Sequence, residues 1–98
     1  MAKLLGKKLR ELRESKDLLL RQVAPLLEID TPHLSKIERG ERNLRKELLP
    51  ILSKLYDVVE LELQVLWLAD HVMEVVEDEP TSIQSLQLTI DTLVINGQ

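Results

Sequence analysis

Residues 20–43 read LRQVAPLLEIDTPHLSKIERGERN. Val23, Ala24 and Leu27 fall on one helical face, with Arg21 and Gln22 at its exposed start. Glu28-Ile29-Asp30 breaks that helix. A second one starts at Asp30 or Thr31, either of which can cap it; Pro32 suits a first-turn position, which makes Thr31 the better cap. Leu34 and Ile37 then point inward, while Thr31, His33 and Lys36 face outward with Ser35 beside them. Gly40 stands where a left-handed residue closes a helix without strain. A basic exit follows, from Arg39 to Asn43. Two short helices joined by a three- or four-residue turn make a helix-turn-helix unit, whose second helix is shaped to enter a DNA groove.

Two details of this unit carry physical cost. Ala24 is expected where the crossing helices approach most closely, since a larger side chain would push them apart. Pro25 is awkward, because an interior proline costs about 3 kcal/mol. It is tolerable where its missing N–H is one of the free ones at a helix start.

The flanking sequence supplies a core for the unit. Leu5, Leu9 and Leu12 lie at i, i+4 and i+7, predicting an amphipathic helix over about residues 3–15. Leu48, Leu49, Leu52 and Leu55 predict a fourth helix over about 45–56, with Pro50 kinking it or delaying its start. Leu61, Leu63, Leu66, Trp67, Val72, Val75 and Val76 predict a fifth over about 60–77. Glu77-Asp78-Glu79-Pro80 is a boundary. Beyond it, Leu86, Leu88 and Ile90 alternate as a strand would, whereas Ile83, Leu86, Ile90 and Leu93 form a helical stripe. Thr81 with Gln84 offers a capping box. Helix is the preferred reading of this segment. The fold class expected is therefore all-α, a five-helix unit plus a C-terminal segment.

Composition bounds the function. The chain has 98 residues, 44% of them apolar, with no Phe and only Trp67 and Tyr56 as aromatics, so the core must be aliphatic. Cysteine is absent, which removes disulfides, thiolate metal sites and cysteine catalysis. His33 and His71 stand alone with no metal spacing, the serines lack a nucleophile-elbow context, and the three glycines form no phosphate loop. No enzyme, metal or cofactor is implied. No apolar run approaches the roughly 18 residues of a membrane span, and a cytoplasmic protein is expected. All 13 Lys and Arg lie in residues 1–57 beside 9 acids, a local net charge of +4; residues 58–98 hold 8 acids and no Lys or Arg, a local −8. A front half that meets a polyanion and a back half that does not would carry such a split.

GKKLRELRESK (6–16), LLLRQVA (18–24) and LSKIERGERN (34–43), followed by a Leu-rich helix, resemble the phage-repressor and Cro-like helix-turn-helix regulators, often called XRE. The resemblance covers about residues 4–66. It implies a compact five-helix domain whose third helix reads the major groove. By position, Thr31, Pro32, His33 and Lys36 would face bases; Arg21, Gln22, Arg39, Arg42 and Asn43 would face phosphates. Arg13 and Glu38 match a family pair tying helix one to the end of helix three. Leu19-Leu20 replaces the polar start usual for helix two, leaving Arg21 more of the phosphate contact. Glu28 replaces the turn glycine, so it has to take a backbone conformation open to a residue with a side chain. Pro32 cannot donate to a base edge and would act by shape or on a thymine methyl.

These expectations converge on a sequence-specific DNA-binding transcriptional regulator, in which residues 1–66 bind double-stranded DNA and residues 67–98 form an acidic dimerisation extension. Leu66, Trp67, Ile83, Leu86, Ile90 and Leu93 exceed what a five-helix domain needs to bury, and would make a homodimer. The alternative is an antitoxin or interaction module that keeps the fold and binds a toxin or another protein partner.

Overall fold

A computed structural model describes residues 3–97, and among these every regular element is helical. The helices are α1 (Lys3–Ser15), α2 (Leu20–Val23), α3 (Thr31–Glu38), α4 (Leu49–Tyr56), α5 (Glu60–Val76) and α6 (Ser82–Ile95). The first helix matches its predicted span. Helix two is shorter than the pattern suggests, because at Pro25 the chain tightens into a 3₁₀ turn, Ala24–Leu27. A 3₁₀ turn, Lys46–Leu48, also precedes α4, and Pro50 sits in the first turn of that helix; the proline delays the start and does not kink it.

The core is aliphatic, as composition requires. Leu5, Leu9, Val23, Ala24, Leu27 and Leu34 meet Leu49, Leu52 and Leu63 in one buried cluster. α1 packs on α3 and α5, α4 packs on α5, and α2 packs on α3. Ala24 is buried as expected. A second close approach, not singled out by the pattern, lies at Gly6. A methyl group there would overlap the carbonyl oxygens of Ile37 and Glu38, so α1 rides directly on the backbone at the end of α3. The N-terminus of α1 is held from afar: the carboxylate of buried Asp70 on α5 accepts from the N–H groups of Leu4 and Leu5, each at 3.0 Å. One side chain thus satisfies two of the free donors of α1 and places a negative charge against its positive end.

Three turn details correct the sequence reading. The cap of α3 is Asp30, not Thr31; Oδ1 of Asp30 accepts from the His33 N–H at 2.8 Å, and Thr31 becomes the first helical residue. Glu28 does not escape the glycine's conformation. It is left-handed at φ 57°, ψ 38°, because the N–H groups of Glu28 and Ile29 turn back onto the Pro25 and Ala24 carbonyls at 3.1 and 3.2 Å. Closing those two bonds sets the backbone whatever the side chain. The capping box expected at Thr81 and Gln84 is absent: the Thr81 side chain makes no capping bond.

The C-terminal segment is the helix that its Ile/Leu stripe predicts, not a strand. Unlike the other long helices, α6 buries none of its residues.

Candidate nucleic-acid interface

α3 is fixed at both ends by its own sequence. Asp30 caps the start. At the other end Gly40, at φ 78°, donates to Ile37 O at 3.0 Å while Glu41 donates to Lys36 O at 2.8 Å. These two bonds are the Schellman closure that the left-handed glycine allows. Leu34, Ile37 and Glu38 are buried. The opposite face carries exposed Pro32 and Lys36, with half-buried Thr31, His33 and Ser35 around them. The predicted base-facing residues are therefore brought together on one solvent-facing surface.

Beneath that surface lies a buried polar contact of three hydrogen bonds. Arg13 of α1 donates through Nε to Glu38 Oε2 at 2.9 Å and through Nη2 to Oε1 at 3.0 Å, and its Nη1 reaches Leu18 O at 2.8 Å. Both side chains are nearly buried. The Glu38 hydrogen bond pushes the Arg13 guanidinium above its ordinary range, against the opposite pull of burial. Tyr56 lies close enough to feel both charges, and its hydroxyl is buried with no partner among the described residues; desolvation pushes the phenol up to about 12. The pair fixes the angle between α1, the start of α2 and the end of α3. It presents no charge to a ligand.

The predicted phosphate-facing residues differ in availability. Arg21 is exposed on α2. Gln22 turns its Oε1 back to accept the Leu19 N–H at 2.7 Å, so it caps α2 and has only its amide N–H groups left to donate. Leu20 is half-buried against the core, which accounts for an apolar residue there, whereas Leu19 is exposed. Arg39 is held by Glu41 through Nε at 2.8 Å and Nη2 at 3.4 Å, an exposed pair of small energetic weight. Arg42 and Asn43 are exposed and make no side-chain bond or ion pair among the described residues.

Arg45 and Lys46 continue the same loop and are not among the residues the sequence pattern points to. Both are exposed on the loop leading to α4. What orders this loop is Leu44, which is buried in the core while its carbonyl accepts the Trp67 indole N–H at 2.7 Å. The Lys46 ammonium lies 5.5 Å from the centre of the Trp67 ring, within cation–π range. Trp67 also meets His71, with ring centres 4.0 Å apart and His71 Nδ1 at 2.8 Å from Trp67 O. Trp67, expected at a dimer contact, is half-buried and spends its polar group positioning the cationic loop. The run RNLRK, two polar residues either side of an apolar anchor, is the signal that could have found Arg45 and Lys46.

Such a surface offers a short helix with both ends fixed, its outer face open, and a cation-rich loop directly after it. Residues 4–66, which contain all of it, match the helix-turn-helix domain family. The chain belongs to that family. At 39% identity over 54 residues it is also similar to the HTH-type transcriptional regulator DdrOP3 of Deinococcus deserti, an alignment covering 55% of this chain and 42% of that protein. The chain thus spans less than half the length of the curated relative it matches. No solved structure matches it. Among the described residues no helix is long and apolar enough to cross a membrane.

Proposed function

We propose that this helix-turn-helix protein is a sequence-specific DNA-binding transcriptional regulator of the phage-repressor and Cro-like (XRE) kind, acting in the cytoplasm by binding and not by catalysis. Residues 1–66 hold the reading unit and residues 67–98 the dimerisation extension. α3 enters the major groove, with Lys36 donating to guanine acceptors, His33 and Thr31 donating or accepting, and Pro32 against a thymine methyl. Arg21, Gln22, Arg42 and Asn43 contact the phosphates, and Arg39 joins them by exchanging its exposed Glu41 partner for a phosphate.

The observation that carries this reading is the state of the loop after α3. Arg42 and Asn43 are unpaired among the described residues, yet their backbone is held by the Gly40 closure, by buried Leu44 and by the Trp67 indole. An ordered, unneutralised arginine with an amide donor next to it, beside an open helix, suits a polyanion with a regular backbone. A homodimer on a two-fold-related operator, with half-sites roughly 34 Å apart, supplies the contacts that a single unit lacks. Ile83, Leu86, Ile90 and Leu93, with Leu66 and Trp67 at its edge, make the dimer contact.

Arg42→Ala is expected to weaken binding to every duplex alike and to lower the salt slope by about one phosphate contact. Lys36→Ala is expected to cost about 1–3 kcal/mol on the preferred site and to relax base preference at one position. Binding isotherms at several salt concentrations, on duplexes from the protein's own gene neighbourhood, read both. If no such duplex binds at low salt, the proposal fails. The uncovered apolar helix α6 favours one second reading, an antitoxin-like module whose α6 binds a toxin or another protein partner.

A further inference from the structure

α5 is apolar on two sides, and only one of them is used by its own domain. Leu63 is buried, and Leu66 and Trp67 pack against the core. Leu61, Val65, Leu68, Val72 and Val75 lie on a different stripe and stay between 37% and 75% exposed. Their spacing of four, three, four and three residues is the repeat that keeps one helix against another along its length. The upper end of this stripe opens into an apolar groove of about 740 Å³ that also takes in Leu4, Val59 and Leu66, with Lys7 and Lys8 of α1 at its rim.

α6 presents the complementary pattern. Ile83, Leu86, Ile90 and Leu93 are spaced three, four and three residues apart, and all but half-buried Leu86 are more than half exposed. At 14 residues, a helix that buries nothing is marginal in water. Neither surface suits solvent, and within one chain α6 does not pack extensively on α5.

We infer that the exposed stripe of α5 in one copy is covered by α6 of a second copy, and reciprocally, so that the α5 and α6 helices of two chains form a four-helix unit. This rests on the homodimer proposed above and adds the α5 surface to it. Charge selects this pairing over α5 against α5. Asp70 is buried at the start of α1 and Glu62 faces Lys8 at 3.3 Å. Outside the core α5 still carries Glu60, Glu62 and Glu74 with no Lys or Arg, so two such helices side by side share one sign of net charge. α6 has Asp91 as its sole charged residue; its flanks are Ser, Thr and Gln. The near-neutral α6 is the partner that brings almost no further acid against α5.

The absence of cysteine makes a direct test available. Single cysteines are placed at Val65, Leu68 or Val72 in one set of chains and at Leu86, Ile90 or Leu93 in another. The sets are mixed under reducing conditions and then oxidised. At least one mixed pair is expected to give a covalent dimer in several-fold higher yield than either chain alone, on a wild-type background whose mass by light scattering is that of a dimer. If I90C or its neighbours cross-link chiefly to themselves, α6 pairs with α6; the α5 contact is overturned while the dimer stands. A dimer that no mixed pair can trap overturns it equally. If L68C and I90C placed in one chain close as a monomer, the stripe is covered by its own α6 and the inference fails. Monomeric wild-type protein with no cross-link removes the homodimer proposal as well.

Discussion

α3 and α6 are both short amphipathic helices by pattern, and the structure treats them in opposite ways. α3 has eight residues, fewer than a helix needs to persist alone, yet Asp30 closes one end, Gly40 the other, and Leu34, Ile37 and Glu38 are buried. α6 is nearly twice as long, has no side-chain cap and buries nothing. What orders a helix here is therefore what it is fastened to and not its length. α3 is fastened within its own chain, so its geometry is set without any partner. The tail helix is left to be fastened by something else.

The buried Arg13–Glu38 pair should matter most on the α3 side of this contrast. Glu38→Ala leaves the Arg13 guanidinium nearly buried with only the Leu18 carbonyl as partner. A loss of about 3–5 kcal/mol is expected, read as a lower denaturation midpoint. A change below about 1 kcal/mol would mean that α3 is held by packing alone.

Tyr56 lies beside that pair, and its effect depends on pH. Its phenol titrates at about 12 in the fold and near 10 when unfolded. The folded protein thus binds the extra proton between those values. The stabilisation is complete below pH 10 and is lost as pH rises toward 12, by about 2–3 kcal/mol in all. Tyr56→Phe should abolish that alkaline loss. It should also leave neutral-pH stability equal or raised by about 1 kcal/mol, since the hydroxyl it removes has no partner among the described residues. Denaturant titrations at pH 7 and above pH 10 compare the two proteins. A wild-type-like alkaline loss in the variant would assign the effect to other groups.

Much of the α3 side was legible in the sequence, because its determinants are local and repetitive. The Leu5, Leu9, Leu12 stripe, the Gly40 stop and the Leu34/Ile37 step each need only a few neighbouring residues to be read. Asp70 holding the N-terminus of α1, and Trp67 holding Leu44, join single residues 65 or 66 and 23 positions apart; no periodicity announces such contacts. The open stripe of α5 was hidden for another reason. Leu61, Val65 and Leu68 interleave with core-facing Leu63, Leu66 and Trp67, and a helix apolar on two sides reads simply as apolar. Glu28 misled because residue type argues against the left-handed turn that its backbone bonds impose.

The turn before α3 tests that last point with a smaller effect. A non-glycine residue in a left-handed conformation costs roughly 1–2 kcal/mol, and glycine returns part of that gain through its unfolded-state entropy. Glu28→Gly should stabilise the fold by about 1 kcal/mol, raising Tm by roughly 4–8 °C. A lower Tm would show that the Glu28 side chain makes a contribution its exposure does not suggest.

Removing α6 should change the fold least of all. A chain ending at Glu79 loses Ile83, Ile90 and Leu93, none of them buried, so at high dilution its denaturation midpoint should lie within about 0.5 kcal/mol of the full chain's. The difference should appear only as protein concentration rises. If a second copy covers these residues, the full chain gains stability with concentration by mass action, whereas the shortened chain does not. A shortened chain that unfolds at every concentration would make α6 part of the packed domain. One that keeps the full chain's concentration dependence would take α6 out of the dimer. The two helices are distinguished by this dependence: a partner should add nothing to α3 and supply what α6 lacks.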